Sequence, residues 1–322
     1  MQTNSNQHTV DVILRSSDAK MFYSWKTLLS IASSVFNDMF TLPQPEASNN
    51  DNVDGGPCQH DGLPVIDLTE DGCTLGCILS LCHPPSCTGE PFKPVNSVRE
   101  LRDVLEATMK YDMEKLRCVV LKELTNPSFL REDPLRVYVL ACQHQCRNAA
   151  RLAAKRTLAL PTLMREYVPE LEKIHAGKLW RLLSYREACM AAVHSLADNH
   201  TWIVYTRFSP LFGCKDDADV EWTTVSNPPS RKYPSGRTEH ISVHTWWLEY
   251  MRKSGNALQR SPHGDSVKDK KFMNGVLSAI SSSECKQCNP LQVWETFQSF
   301  VDSFAEHIER RVAEVRFVSP VC

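Results

Sequence analysis

The stretch from Val10 to Phe40 constrains the fold more than any other part of the chain. Asp11-Val12-Ile13-Leu14-Arg15 is rich in β-branched and apolar residues, with Val12 and Leu14 on one side and Ile13 on the other. That pattern predicts a strand covered on both faces. Asp18-Ala19-Lys20 supplies a turn, and Met21 to Trp25 reads as the antiparallel partner. From Lys26 the period changes. Leu28, Leu29 and Ala32, then Phe36, Met39 and Phe40, recur at intervals of three and four, which is helical spacing. Ser33 and Ser34 separate two short helices, with Ser34 expected to cap the second. A hairpin that runs directly into a pair of short apolar helices needs a small sheet with helices laid against it.

The following segments extend that plan. Pro43 to Pro64 is polar and rich in Asn, Asp and Gly, and reads as a long loop. Leu63 to Leu68 is a strand. Asp71 is placed to cap a helix carrying Leu75, Ile78 and Leu79, which Pro84-Pro85 must end. Ser97 to Lys110 carries Val98, Leu101, Val104 and Leu105 on one stripe. A second helix is expected from Met113 to Leu124, after a break at Tyr111-Asp112.

These elements occur in the order strand, strand, helix, helix, strand, helix, helix, helix. Together with Trp25-Lys26-x-Leu28-Leu29, Ser34-x-Phe36-x-x-Met39-Phe40 and Ala107-x-x-Lys110-Tyr111-x-Met113, the span 9–127 resembles a BTB/POZ domain. The phrases Asp61–Ile66, Pro134–Tyr138 and Tyr167–Leu171 are similar to those of fungal, basidiomycete-type BTB proteins. The resemblance implies an α+β fold, a small sheet covered by helices, followed by an all-α carboxyl-terminal region. It also implies a non-enzymatic protein–protein interaction module: an adaptor or scaffold, with self-association as a homodimer among its modes. In such domains the positions of Asp11 and Lys26 approach each other near a dimer surface, as an ion pair or as determinants of partner choice. Only eight polar residues precede the first strand, which argues against a strand-exchanged dimer. A substrate adaptor of a cullin-RING ubiquitin ligase ranks below a generic adaptor, because residues 80–97 hold no clear hydrophobic-x-Glu phrase.

Beyond residue 127 the expected organisation is a helical extension over 128–196 and a helical region over 197–322. Asp133-Pro134 opens one helix. Arg147 to Leu160 forms another, in which Ala149, Ala150, Ala153 and Ala154 face inward and Arg147, Arg151, Lys155 and Arg156 face solvent. Residues 197–240 read as irregular, with Trp202 to Tyr205 as a short strand. Helices are expected from Ser242 to Leu258, from Val267 to Ile280, and from Pro290 to Val315, the last about 40 Å long.

The charge budget excludes some functions. The net charge is −2, and the charges divide unevenly: residues 1–97 carry 11 acidic and 4 basic side chains (−7), whereas residues 98–190 carry 12 and 17 (+5). Nothing in this distribution favours a nucleic-acid partner. No apolar run reaches the ~18 residues of a spanning helix, and no export signal is visible, so an intracellular protein of cytoplasm or nucleus is expected. Under those conditions the 13 cysteines read as free thiols. Cys73 and Cys77, a helical turn apart, are expected to pack against the hairpin as small apolar residues.

One spacing resembles metal chemistry. Cys285-Lys286-Gln287-Cys288 presents two thiols in the geometry that supplies half of a structural zinc tetrahedron. His200, Cys214, His240 and His244 are the nearest residues able to complete it. A metal-organised regulatory protein is therefore the alternative reading, and no other cofactor is expected. The chain has no nucleophile elbow or phosphate loop, and 12 glycines leave little material for one.

Overall fold

The computed structural model describes residues 10–42, 59–82, 95–163, 166–212, 220–227, 237–282 and 290–318. It divides into two compact units, Met1–Cys146 and Arg147–Cys322.

In the first unit, β1 (Val12–Arg15) and β2 (Met21–Ser24) form the expected hairpin, with Ile13 opposite Tyr23. β3 (Gln59–His60) and β4 (Leu63–Asp67) form a second hairpin, and β4 lies parallel to β1, with Ile13 opposite Val65. The sheet order is β2-β1-β4-β3. Central β1 is fully buried at Val12, Ile13 and Leu14, as its two-sided apolar pattern requires. The β3–β4 turn was not expected. Asp61 and Gly62 both adopt the left-handed conformation (φ 54° and 75°), the geometry for which an Asp-Gly pair is the strongest short-range hairpin signal.

Helices α1 (Lys26–Ala32) and α2 (Ser34–Thr41) follow β2. The cap of α2 is Ser33 rather than Ser34: its hydroxyl accepts from the Phe36 amide at 3.0 Å. Ser33 alone has the extended backbone a cap needs, and Ser34 is already helical. α3 (Gly72–Cys82) begins where expected, with Asp71 accepting from the Thr74 amide at 2.7 Å. Its hairpin-facing side is lined by glycine, not by both cysteines. A Cβ on Gly72 would lie 2.5 Å from Lys20 Cδ, and one on Gly76 would touch the Phe22 ring. Cys77 is buried, but Cys73 is exposed.

α4 (Val98–Lys110) is capped by Ser97, while Glu100 reaches back to the Asn96 amide. α5 (Glu114–Val120) tightens into a 3-10 turn, Leu121–Thr125, instead of running helical to Leu124. α6 (Pro127–Glu132) and α7 (Pro134–Gln143) complete the unit, each with proline in its first turn.

The second unit is mostly helical. It contains α8 (Arg147–Thr157), α9 (Ala176–His194), α10 (Thr245–Leu258), α11 (Lys270–Ser282) and α12 (Pro290–Glu314). The alanines of α8 are buried and its Arg147, Arg151, Lys155 and Arg156 exposed, as expected. Trp247, Tyr250, Phe297, Phe300 and Phe304 form an aromatic core. Its rings meet edge-to-face, as between Tyr250 and Phe297 (4.9 Å, 83°), tilted, as between Trp247 and Phe300 (5.7 Å, 57°), or stacked, as between Phe297 and Phe300 (6.4 Å, 26°).

The described residues between 197 and 240 carry more regular structure than the sequence suggested. Short 3-10 turns replace the expected strand at Trp202–Tyr205. β5 (Val220–Asn227) and β6 (Arg237–His244) form an antiparallel pair, with Thr223 opposite Ile241. β6 absorbs Ser242 to His244, so α10 starts at Thr245.

Arg186, on α9, is buried and donates to three backbone carbonyls: Thr157 at 2.5 Å, Leu160, and Arg260. The Leu160 and Arg260 carbonyls would otherwise be unpaired acceptors, and the Thr157 carbonyl would keep only the Leu160 amide, so the guanidinium joins the end of α8 to the chain after α10. Glu309 on α12 is a second junction. It accepts from the Gly264 amide at 3.0 Å and pairs with Lys155 at 2.9 Å. Burial raises the Glu309 carboxyl pKa, but the amide and the Lys155 ammonium outweigh that effect and hold it below its ordinary value.

Candidate interaction surface

The structure brings Asp11 and Lys26 together, but not as an ion pair. Asp11 Oδ1 accepts from the backbone amide of Lys26 at 2.7 Å, while the Lys26 ammonium lies over the Phe40 ring, 5.8 Å from its centre. Trp25, the residue preceding α1, offers no side-chain cap. The carboxylate of Asp11 therefore caps α1 from the neighbouring strand, satisfying one of the orphan donors at the helix start. Physically, an amide held at 2.7 Å by the fold needs no ordering of a long side chain, whereas an exposed ion pair does.

The same unit exposes apolar side chains that the sequence does not single out. Ile31, on α1, is 75% exposed; Tyr23 and Met21, on edge strand β2, are 44% and 37% exposed. Met21 is opposite Arg15, which is opposite Asp67, so the three share one face of the sheet. Arg15 and Asp67 are ion-paired there, and the Arg15 hydrogen bond holds the Asp67 carboxyl below its usual range. On β2 the Tyr23 hydroxyl donates to Asp61 at 2.9 Å. Ile31 could have been found: it falls off the Leu28–Leu29–Ala32 stripe, so a helical wheel places it outward.

The α1–α2 junction is fastened to the end of α4. The Ser33 hydroxyl donates to the Tyr111 carbonyl, Ser34 donates to Asp112, and the Phe36 and Tyr111 rings stack at 4.8 Å. The Tyr111 hydroxyl in turn donates to Glu70, which also pairs with Lys110 at 2.7 Å. Burial raises the Glu70 carboxyl, but the Lys110 and Tyr111 hydrogen bonds outweigh it and leave the group below its ordinary pKa.

Of the metal candidates, Cys285, Cys288 and Cys214 lie outside the described residues. His200 is buried with both ring nitrogens engaged, Nδ1 with the Thr223 hydroxyl at 2.6 Å and Nε2 with the Ala197 carbonyl at 2.7 Å. Burial pushes its pKa down. His240 bonds Thr224, and His244 stacks on Trp246. Among the described residues, no three His, Cys, Asp or Glu side chains converge as a metal site would need. Burial pushes the thiol of Cys82 up to about 12, that of Cys189 up to about 11, and that of Cys146 above its ordinary value.

Residues 1–62 match the family model of the BTB/POZ domain. The chain carries an amino-terminal BTB/POZ domain. No curated protein matches the chain. A BTB/POZ domain is a general protein–protein interaction module, and the matched stretch includes Asp11, Met21, Tyr23, Lys26 and Ile31. Among the described residues, no helix is long and apolar enough to cross a membrane.

Proposed function

We propose that the protein is a non-enzymatic adaptor that contacts a protein partner, a second copy of itself included, through the BTB/POZ surface bearing Met21, Tyr23 and Ile31. The observation that carries this reading is Ile31, a large apolar side chain three-quarters exposed on a helix inside the stretch that matches an interaction family. Apolar groups left on the surface beside a charged rim are the usual anchors of a protein interface. Asp11 supports this surface by fixing the start of α1.

The finer assignment to the fungal BTB set rests on the phrases at Asp61–Ile66, Pro134–Tyr138 and Tyr167–Leu171. Adaptor work outside a cullin complex remains the first choice, and nucleus or cytoplasm the expected location. Cys285 and Cys288 keep their candidacy as a structural zinc pair, which native mass spectrometry of the full chain reads directly. The test of the adaptor reading compares wild type with Ile31→Asp plus Tyr23→Ala, by sedimentation and by affinity purification from its own cells. Loss of association in the variant supports the surface. An unchanged set of partners and an unchanged oligomeric state would remove it.

A further inference from the structure

The second unit contains a cavity of about 320 Å³ beside the carboxyl-terminal turns of α12, within the size range of small-molecule sites. Trp202 and His307 line its wall, stacked at 4.8 Å and 15°. Arg310, Arg311 and Glu314 come from the last turns of α12, and Asn199 from the turn after α9. Arg311 is bonded to Glu314 at 2.7 Å, which neutralises one guanidinium. Arg310 makes neither an ion pair nor a hydrogen bond among the described residues. The Asn199 carbonyl oxygen is occupied by Thr201, through both its amide and its hydroxyl. The side-chain amide nitrogen of Asn199 thus remains as a donor. The cavity therefore holds an unanswered cation and neutral donors against one carboxylate that is already paired.

We propose that this cavity binds a compact oxyanion of the phosphate type, with Arg310 as its charge partner and the Arg311 guanidinium, shared with Glu314, as a further donor. Guanidinium groups present paired N–H donors that fit tetrahedral oxyanions; Arg310 brings the uncompensated charge, and Arg311, whose charge Glu314 already answers, adds donors rather than net charge. The state of His307 agrees with a positive cavity. Burial first, then Arg310 and Arg311, push its pKa down, against a smaller opposing pull from Glu314. The competing explanation is that both arginines merely answer the carbonyl end of α12. That role needs no ligand and makes no distinction between anions.

The titration of His307 separates the two. In the full chain its ring C–H signal is assigned by its disappearance in His307→Gln, and its midpoint is followed with inorganic phosphate, acetate or chloride at matched ionic strength. A phosphate bound beside the arginines offsets their field and raises the midpoint by about one pH unit; acetate raises it less and chloride not at all. Arg310→Ala, at an exposed position, raises the midpoint without any ligand, and phosphate affinity falls about tenfold or more. A midpoint that phosphate moves no further than chloride does, or a phosphate response unchanged in both Arg310→Ala and Arg311→Gln, overturns the proposal and leaves the arginines as helix-end cations.

Discussion

The buried hydroxyl of Ser33 donates to the carbonyl of Tyr111, 78 residues further along the chain. The same oxygen accepts from the Phe36 amide, so one side chain both caps α2 and closes the end of α4. Ser33→Ala removes a cap and leaves a buried carbonyl unpaired. A loss of about 2–3 kcal/mol in urea-induced unfolding is expected. Ser34→Ala, which removes only an exposed bond to Asp112, costs roughly 0.5 kcal/mol or less. Equal effects of the two substitutions would contradict the assignment of Ser33 as the cap.

Asp11 offers a way to tell a helix cap from an ion pair. Asp11→Asn keeps an acceptor for the Lys26 amide, so it costs a few tenths of a kcal/mol, whereas Asp11→Ala costs about 1 kcal/mol. Lys26→Met leaves the cap intact. A double-mutant cycle between the two side chains then shows coupling near zero. Strong, salt-sensitive coupling would restore the ion pair.

Glu70 gives the first unit a defined acid response. Its pKa in the folded protein lies below the ordinary carboxylate value, owing to Lys110 and Tyr111. A depressed carboxylate contributes stability that is fully present above the unfolded-state pKa and is lost as pH falls through the folded one. Urea midpoints measured from neutral pH down through the carboxylate range should therefore fall less steeply in Glu70→Gln than in wild type. Parallel curves would show that Glu70 is not coupled to folding.

Arg186 tolerates no substitution well. Arg186→Met leaves the carbonyls of Leu160 and Arg260 without their donor and that of Thr157 with the Leu160 amide alone, a cost of about 3 kcal/mol. Arg186→Lys recovers only part of this, because a single ammonium cannot reproduce the planar fork. Thermal unfolding of the full chain ranks the three proteins; lysine equal to arginine would show that charge alone matters.

The parts of the fold that were legible in the sequence are those where one local signal decides the outcome. β1 was readable from apolar residues on both of its sides, and α4 and α7 from Ser97 and Asp133 standing before periodic stripes. β5 and β6 were missed because Thr223, Val225, Ile241 and Val243 alternate weakly among polar and aromatic residues, and the aromatic run at Trp246-Trp247 drew the helix start too early. The Asp61-Gly62 pair carries its own turn signal, since both residues are of the kinds that accept a left-handed backbone. For the candidate surface, the resemblance to BTB/POZ domains implies that Asp11 approaches Lys26 but not the chemistry of their contact. Whether a carboxylate meets an amide or an ammonium is settled by where the chain places the start of α1, which no spacing reveals. The cavity at Arg310 depends on a turn and a helix more than 100 residues apart and left no local trace.

The reach of Arg186 also bears on how the molecule is made. Its guanidinium closes one carbonyl 26 residues behind it and another 74 residues ahead. While the ribosome is still short of Arg260, that charge sits among incomplete partners. The half beginning at Arg147 therefore cannot lock piece by piece during synthesis, and fragments ending before Arg260 should be captured by chaperones or degraded.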